Sequence, residues 1–301
     1  MATKPYREET SVFYSVHKNR SYLNRGLALC EWRPIEKYSL LASQFVMIYR
    51  HLSTNDYYFD LECFSTWFVF DEFVQSEGIK GPIVCLDHDV LLYCDIAKVF
   101  EKRDFDIATT GIVGNQYTLF RTPAILHGYI AFMQKMYSES SNFIILENIY
   151  RTKKSPVPLP GNWICDMTLL GMYTITLGDR WIDLAEEHEG TIFDYAVGIP
   201  EGFDYNPYKK IKRLYHDRRG FYGRRDGHKL YFEALHFQVG AKVFLPHYYI
   251  GQKKFKDNWR HEYSRWRGRA TTVVKWVLSK LSFCYQRRGK RSIIPQSGTT
   301  I

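Results

Sequence analysis

The chain has 301 residues, of which 45% are hydrophobic and 17% aromatic. This length and apolar content exclude a wholly disordered chain and are typical of one large domain with appendages. The net charge of +9 is uneven, because residues 253–301 carry a net +11 and the preceding residues therefore sum to −2. The basic character belongs to a C-terminal tail and not to the body of the protein.

Targeting and redox signals predict a cytosolic protein. Residues 1–9 contain no apolar segment of the kind that a signal peptide needs. No run of about 18 apolar residues predicts a membrane span. The six cysteines are scattered without the paired spacing of metal ligands. We interpret them as reduced and buried thiols.

Strand-like and helix-like segments alternate along the body of the chain. Apolar residues at a helical period predict helices, and short branched runs between turn residues predict strands. In chain order these are a strand at 11–16, helices at 22–30 and 60–74, strands at 83–86 and 104–109, a helix at 125–137, a loop at 153–162, a helix at 166–173 and a strand within 235–246. This alternation predicts an α/β fold with a central mixed sheet flanked by helices.

The C-terminal segment has a different character. Within residues 271–288 apolar side chains share one helical face, and Arg and Trp are frequent from Trp259 onward. This pattern is typical of a basic amphipathic helix on an anionic membrane surface. A helix that packs its apolar face on the main domain has the same period. We therefore divide the chain into a domain at 1–252, a basic helical region at 253–288 and a disordered tail at 289–301.

Two acids follow directly after a short apolar run. Asp87 and Asp89 come after residues 83–86, and a second apolar run begins at Val90. At a strand end, residues two apart point the same way. Two carboxylates this close repel each other unless a cation lies between them, and oxygen ligands suit Mg²⁺ or Mn²⁺, which commonly carry a diphosphate. An Asp-x-Asp pair also occurs by chance at solvated strand ends.

A second group of chemically capable residues lies late in the chain, at His236, Gly240 and Lys242. A neutral imidazole can bind a metal, glycine allows close backbone approach, and an ammonium group neutralises a phosphate. Taken alone, His236 is more often a core histidine with its hydrogen bonds satisfied, and Lys242 a solvated lysine. Together with Asp87 and Asp89 they predict a cradle for a cation and a diphosphate.

The chain resembles nucleotide-sugar-dependent glycosyltransferases of the GT-A fold, a single Rossmann-like domain. In these enzymes an Asp-x-Asp motif at a strand end holds the cation and the nucleotide diphosphate, as Asp87-His88-Asp89 would here. Family 8 adds a late His-x-x-Gly-x-x-Lys motif, whose His–Lys separation is kept by His236 and Lys242, while Gly240 lies one place late. The resemblance implies that Asp87, Asp89 and His236 bind Mn²⁺ or Mg²⁺. It further implies that Gly240 and Lys242 contact the diphosphate of a nucleotide-sugar, most simply a UDP-sugar.

A closer resemblance is to small bacterial sugar transferases of surface-polysaccharide pathways. These have segments like residues 50–55, 62–68 and 161–168, in this order. The resemblance implies that His17 and Asn19 lie at the nucleotide, although His17-Lys18-Asn19 departs from the Thr-Gly-Asn-like turn of those enzymes.

The resemblance also implies a role for Asp166, which would face the acceptor. In an inverting enzyme Asp166 would be the catalytic base that deprotonates the acceptor hydroxyl, whereas in a retaining enzyme it would orient the sugar. The late His236 and Lys242 favour retention by analogy. A helix N-cap explains an aspartate at this place without any chemistry.

Two other classes of protein remain as alternatives. A phosphohydrolase of the haloacid-dehalogenase type would use Asp87 as its nucleophile, but it expects the motif near the N-terminus and Thr or Val where this chain has Leu91. A non-enzymatic nucleic-acid-binding protein would fit the pI of about 9.1, but not the near-neutral body.

The sequence thus predicts a metal-dependent glycosyltransferase of cell-surface polysaccharide synthesis. It would move a sugar from a nucleotide-sugar to a glycan or lipid-linked acceptor, without specific nucleic-acid binding. The basic helix at 253–288 would hold this cytoplasmic protein on the inner face of the membrane.

Overall fold

The computed structural model describes residues 13–15, 30–157 and 163–248. These residues form an α/β structure with mixed sheets, as the sequence predicted. The chain divides into two compact units, Met1–Val239 and Gly240–Ile301. The basic helix predicted at 253–288 and the tail predicted at 289–301 lie outside the described residues.

Seven α-helices occur in the described residues. They are α1 (Leu40–Ile48), α2 (Tyr57–Ser76), α3 (Ile96–Lys102), α4 (Pro123–Ser138), α5 (Ser140–Thr152), α6 (Asp166–Leu177) and α7 (Leu245–Tyr248). The sequence predicted α2, α4 and the start of α6, but it missed the other four. Most of the helix predicted at 22–30 lies outside the described residues, and the prediction is wrong for Cys30, which begins a strand.

Thirteen β-strands occur in the same residues. They are β1 (Phe13–Ser15), β2 (Cys30–Trp32), β3 (Ile83–Leu86), β4 (Val90–Leu92), β5 (Ile107–Thr109), β6 (Tyr117–Phe120), β7 (Trp181–Asp183), β8 (Thr191–Phe193), β9 (Tyr205–Asn206), β10 (Ile211–Lys212), β11 (Tyr215–Asp217), β12 (Gly220–Arg225) and β13 (His228–His236). The predicted strands β1, β3 and β5 are present. The strand predicted within 235–246 is misplaced, because β13 ends at His236 and a 3₁₀ helix follows at Val239–Phe244.

Two sheets dominate the first unit. The four-stranded sheet has the order β3-β6-β5-β7 and is antiparallel except for the parallel pair of β5 and β7. The five-stranded sheet has the order β11-β12-β13-β4, and β8 adds to β13 in parallel. The chain passes from one sheet to the other between β3 and β4, which are joined by the three residues Asp87, His88 and Asp89.

The four-stranded sheet is buried on both faces. Along β3, Ile83 belongs to the core beneath the helices, whereas its neighbour Val84 packs in a second core with residues of the other sheet. Phe120 and Leu119 on β6 divide between the same two cores. Successive strand residues point to opposite faces, so a continuous apolar run is the pattern that such a sheet requires.

The larger core is rich in aromatic side chains from the helices. Phe45 of α1 stacks on Phe68 of α2 with ring centroids 4.4 Å apart. Helix α2 begins one turn earlier than predicted, because the Asp56 carboxylate accepts hydrogen bonds from the amides of Tyr58 and Phe59. This cap fixes the start of the longest described helix.

The four cysteines Cys63, Cys85, Cys94 and Cys165 are free thiols that are partly or fully buried. Burial raises the pKa of each thiol, that of Cys165 to about 11. Thiols with raised pKa values are poor nucleophiles and poor metal ligands.

Replacing Phe68 with alanine removes a fully buried ring from the helical core. We expect Phe68→Ala to lower the free energy of unfolding by about 3–5 kcal/mol, since both transfer energy and packing are lost. Urea denaturation followed by circular dichroism measures this change. Phe59→Ala on the same helix is the matched control, because Phe59 is 59% exposed, and it should change the unfolding free energy by less than about 1 kcal/mol. Equal losses in the two variants would contradict the described packing of α2.

Candidate metal centre

The candidate site begins at the turn between β3 and β4. The amide of Asp87 donates a hydrogen bond to the carbonyl oxygen of Gln116, 3.1 Å away, and the amide of Val90 donates to the carbonyl oxygen of Asp87. These bonds close a tight turn in which the Asp87 side chain is exposed and the Asp89 side chain is buried. The acids therefore lie at a strand end, as the apolar runs on either side predicted.

His236 joins the two acids from the far end of the sequence. It is the last residue of β13 and pairs with Val90 across the antiparallel β4–β13 ladder. Its Nε2 atom lies 3.5 Å from Asp89 Oδ1. One ligand atom from each of Asp87, Asp89 and His236 lies within 4.8 Å of the other two. The structure thus brings together the three residues that the sequence proposed as metal ligands.

The orientation of the His236 ring suits a metal ligand. Its Nδ1 atom lies 2.7 Å from the carbonyl oxygen of Tyr195, which can only accept a hydrogen bond. Nδ1 therefore carries a proton, and in the neutral ring the lone pair of Nε2 points towards the carboxylates. A metal-binding histidine commonly has its second nitrogen fixed to a carbonyl in this way.

Electrostatics at the site favour a bound positive charge. Burial lowers the pKa of His236, whereas hydrogen bonds to Asp89 and to the Tyr195 carbonyl raise it. The raising effects together outweigh burial, so the net shift of this pKa is upward. A proton on Nε2 and a divalent cation meet the same need, since each offsets the repulsion between the two acids. Two carboxylates and one imidazole are a donor set suited to Mn²⁺, and less so to Mg²⁺, which prefers oxygen.

A second layer of contacts holds this group in place. The Tyr195 carbonyl also accepts a hydrogen bond from Gln116 Nε2 at 3.0 Å. Beneath it, the buried Lys212 ammonium lies 2.5 Å from Asp194 Oδ1 and 2.5 Å from Glu201 Oε2. Asp194 directly follows β8 and is bound by this lysine.

Asp166 is the first residue of α6, and its side chain is buried. Its Oδ2 atom accepts hydrogen bonds from Trp67 Nε1 at 3.0 Å and from Asn115 Nδ2 at 2.9 Å. Burial raises the pKa of Asp166, and the hydrogen bonds reduce this effect without cancelling it. Cys165 is the N-cap, so the alternative explanation of Asp166 as a capping residue is wrong.

Two adjacent amide residues connect Asp166 with the metal ligands. Asn115 contacts Asp166, while the next residue, Gln116, contacts Asp87 and Tyr195. The loop before β6 that carries them folds tightly, since a Cβ atom on Gly114 would lie 1.8 Å from the Thr110 carbonyl oxygen. Only glycine fits there.

Four further predicted site residues stay untested. His17 and Asn19 lie outside the described residues. Gly240 and Lys242 lie on the 3₁₀ helix that follows β13 and belong to the second compact unit. Their contacts with a diphosphate stay predictions.

Sequence reasoning missed Trp67, Asn115, Gln116 and Tyr195. Trp67 is one of many aromatic residues in an apolar helix, and Tyr195 contributes a backbone carbonyl that no side-chain pattern can reveal. The one available signal was Gly114-Asn115-Gln116, a glycine and two amides directly before an apolar run.

No protein-family model matches the chain, and no curated protein and no solved structure is significantly similar to it. Among the helices that the structure describes, none is both long enough and apolar enough to cross a lipid bilayer.

The raised pKa of His236 predicts that metal affinity depends on pH. A bound cation must displace the proton from Nε2, so Mn²⁺ affinity falls as the pH drops through this pKa and levels off above it. Below the pKa the slope should approach about tenfold per pH unit, as expected for one displaced proton. Calorimetric titration of Mn²⁺ at several pH values measures this slope.

His236→Asn should bind Mn²⁺ more weakly and with a flatter pH profile. The matched control is His216→Asn, because His216 is exposed and is not one of the three clustered residues. Equal slopes in the wild type and in His236→Asn would show that His236 is not a ligand.

Proposed function

We propose that the protein is a metal-dependent glycosyltransferase that uses a nucleotide-sugar donor. The observation that carries this proposal is the convergence of Asp87, Asp89 and His236 on one point, with ligand atoms within 4.8 Å of one another. Such a donor set supports divalent-cation chemistry. The resemblance of the sequence motifs to GT-A glycosyltransferases supplies the kind of substrate, which is a nucleotide diphosphate linked to a sugar.

The site is open to solvent on one side, as expected if a cation is bound by both the protein and a substrate. Asp89 and His236 are buried, while Asp87 is exposed. Three protein ligands on one side leave coordination positions for phosphate oxygens on the solvent side. When bound, the cation would act as a Lewis acid on the departing nucleotide diphosphate. Lys242 is the residue that the motif assigns to the leaving phosphate.

Asp166 is the proposed residue for contact with the sugar or the acceptor. Its Oδ2 atom accepts hydrogen bonds from Trp67 and Asn115, and the carboxylate also accepts one from the Met167 amide, which leaves capacity for one substrate hydroxyl. Burial makes Asp166 a stronger base than an exposed carboxylate, because its pKa is raised. An inverting enzyme would use this basicity, and a retaining enzyme would use Asp166 to orient the sugar.

The phosphohydrolase alternative has weaker support. It would need a later pair of acids to complete its metal site. Within the described residues, the third member of the cluster with Asp87 and Asp89 is a histidine. A glycan or lipid-linked acceptor, and a cytoplasmic location on the inner face of the membrane, complete the proposal.

Calorimetric titration of UDP and GDP, with and without Mn²⁺, tests the donor site. We expect roughly micromolar binding that requires Mn²⁺ and that is strongly weakened in Asp89→Asn, because the variant removes one negative charge from the metal site. Asp179→Asn is the matched control, since Asp179 is exposed and is not one of the three clustered residues. If neither nucleotide binds the wild type under any metal condition, the transferase proposal is wrong.

Asp166→Asn separates binding from catalysis. Asparagine can still accept hydrogen bonds from Trp67 and Asn115, so we expect UDP–Mn²⁺ affinity to stay within about twofold. Release of UDP from UDP-sugars, with a lipid extract as the source of acceptor, should fall by about 10²–10⁴. Unchanged turnover in Asp166→Asn would remove Asp166 from the proposed mechanism.

A further inference from the structure

The first unit of the chain is electrically polarised. Residues 209–229 contain nine Lys and Arg and two acids, whereas the rest of residues 1–252 contains 19 Lys and Arg and 28 acids. The near-neutral sum thus hides a strong separation of charge. Of the nine basic residues only Lys212 is buried, Lys229 is paired with Asp217 and Arg225 with Glu187, and the six others are exposed, so this segment presents a net positive surface.

Part of this charge lies on one face of the five-stranded sheet. Tyr215, Tyr222 and Tyr231 stand opposite one another on β11, β12 and β13 and form a ladder of rings. Their centroids are 5.3 Å apart across the first pair and 5.7 Å apart across the second. Three cations lie over these rings, namely Arg219, Arg224 and Lys229. We call these six residues the basic sheet face.

A rigid turn extends this surface. The Asn206 side-chain oxygen accepts hydrogen bonds from the amides of Tyr208 and Lys209, each at 3.1 Å. The turn therefore holds Tyr208 outward, where it is 96% exposed. It joins the basic sheet face, because Tyr215 Oη donates a hydrogen bond to Asp204 Oδ2 and the Asp204 amide donates to the Arg224 carbonyl oxygen.

A second apolar side chain is exposed beside the turn. Ile199 is 40% exposed. Its loop is tied to the β9–β10 hairpin, since Tyr205 Oη donates a hydrogen bond to the Gly198 carbonyl oxygen at 3.2 Å. The amide of Lys212 donates to the neighbouring Val197 carbonyl oxygen at 2.7 Å. An aliphatic and an aromatic side chain thus protrude at the margin of a basic surface.

We propose that the basic sheet face, with Tyr208, Lys209, Lys210 and Ile199, binds the surface of an anionic lipid bilayer. Each Lys or Arg near such a surface adds to the attraction. Tyrosine favours the interface because its ring is apolar and its hydroxyl is polar. Ile199 and Tyr208 would enter the boundary between headgroups and acyl chains, as apolar side chains of interfacial proteins do.

The same contacts disfavour a single-stranded nucleic acid or a glycan as the partner. Those ligands bind by stacking on free aromatic faces. Here the ladder rings are already covered by cations of the chain, such as Lys229 at 3.8 Å from the Tyr222 centroid. An exposed isoleucine also gains nothing from base stacking, whereas it gains from contact with hydrocarbon.

This surface and the candidate metal centre lie at opposite ends of one strand. β13 carries Lys229 near its start and His236 at its end. Seven residues of extended strand span about 23 Å. A bilayer against the basic sheet face would hold the metal centre at a fixed height near the headgroups. The inference requires neither glycosyl transfer nor the chain beyond residue 248.

Vesicle co-sedimentation of the full chain tests the inference. The probes are vesicles of phosphatidylcholine alone and vesicles with about one third phosphatidylglycerol. The test variant is Lys209→Gln/Lys210→Gln/Arg224→Gln, which removes three exposed charges. The control is Lys80→Gln/Lys135→Gln/Lys154→Gln, which removes three exposed charges elsewhere. Thermal unfolding and Mn²⁺ titration establish that both variants fold.

We expect the wild type and the control to bind the anionic vesicles and not the neutral ones. The test variant should bind at least about tenfold more weakly. Tyr208→Ser should weaken binding about threefold or more, with a loss that persists in high salt, because it removes an apolar contact. Wild-type affinity in the triple variant, equal binding to neutral vesicles, or equal losses in the test and control variants would overturn the inference. Displacement of the vesicles by polyuridylic acid, with loss of RNA binding in Tyr208→Ser, would assign the surface to nucleic acid instead.

Discussion

The pairing of β4 with β13 is the contact on which the candidate site depends. It sets Val90 opposite His236 and thereby brings an imidazole against the carboxylate of Asp89. Both side chains are buried, and two acids with a histidine in one place favour a positive charge among them. In our proposal a divalent cation supplies this charge during function.

Backbone carbonyl groups fix the orientation of the His236 ring and the position of the Asp87 turn. The Tyr195 carbonyl fixes the His236 ring, and Gln116 holds both that carbonyl and the Asp87 turn. Because Asn115 is the next residue along the chain from Gln116, the position of Asp166 is coupled to that of the metal ligands. One short loop therefore connects the residue proposed for acceptor chemistry to the residues proposed for the donor.

Charge is also distributed unevenly along β13. β13 joins a centre that attracts a cation to a surface that carries many cations of its own. Two regions of opposite electrostatic preference on one rigid strand cannot neutralise each other. In our proposals the first binds a metal with a diphosphate and the second an anionic bilayer.

The sequence by itself determined the local elements whose signals are short in range. Helical periods predicted α2 and α4, and the apolar runs around Asp87 and Asp89 predicted a strand ending in two acids. The sequence could not locate β13. This strand is stabilised by pairing with β12 and with β4, which lies far away in the chain. The sequence also missed α1 and α5, although the buried residues of α5, Phe143, Leu146 and Ile149, recur at helical spacing. The tertiary structure alone decided that His236 meets Asp89, that a carbonyl orients it and that part of the basic charge of 209–229 lies on one sheet face. These outcomes follow from strand pairing across long separations, which local propensity does not encode.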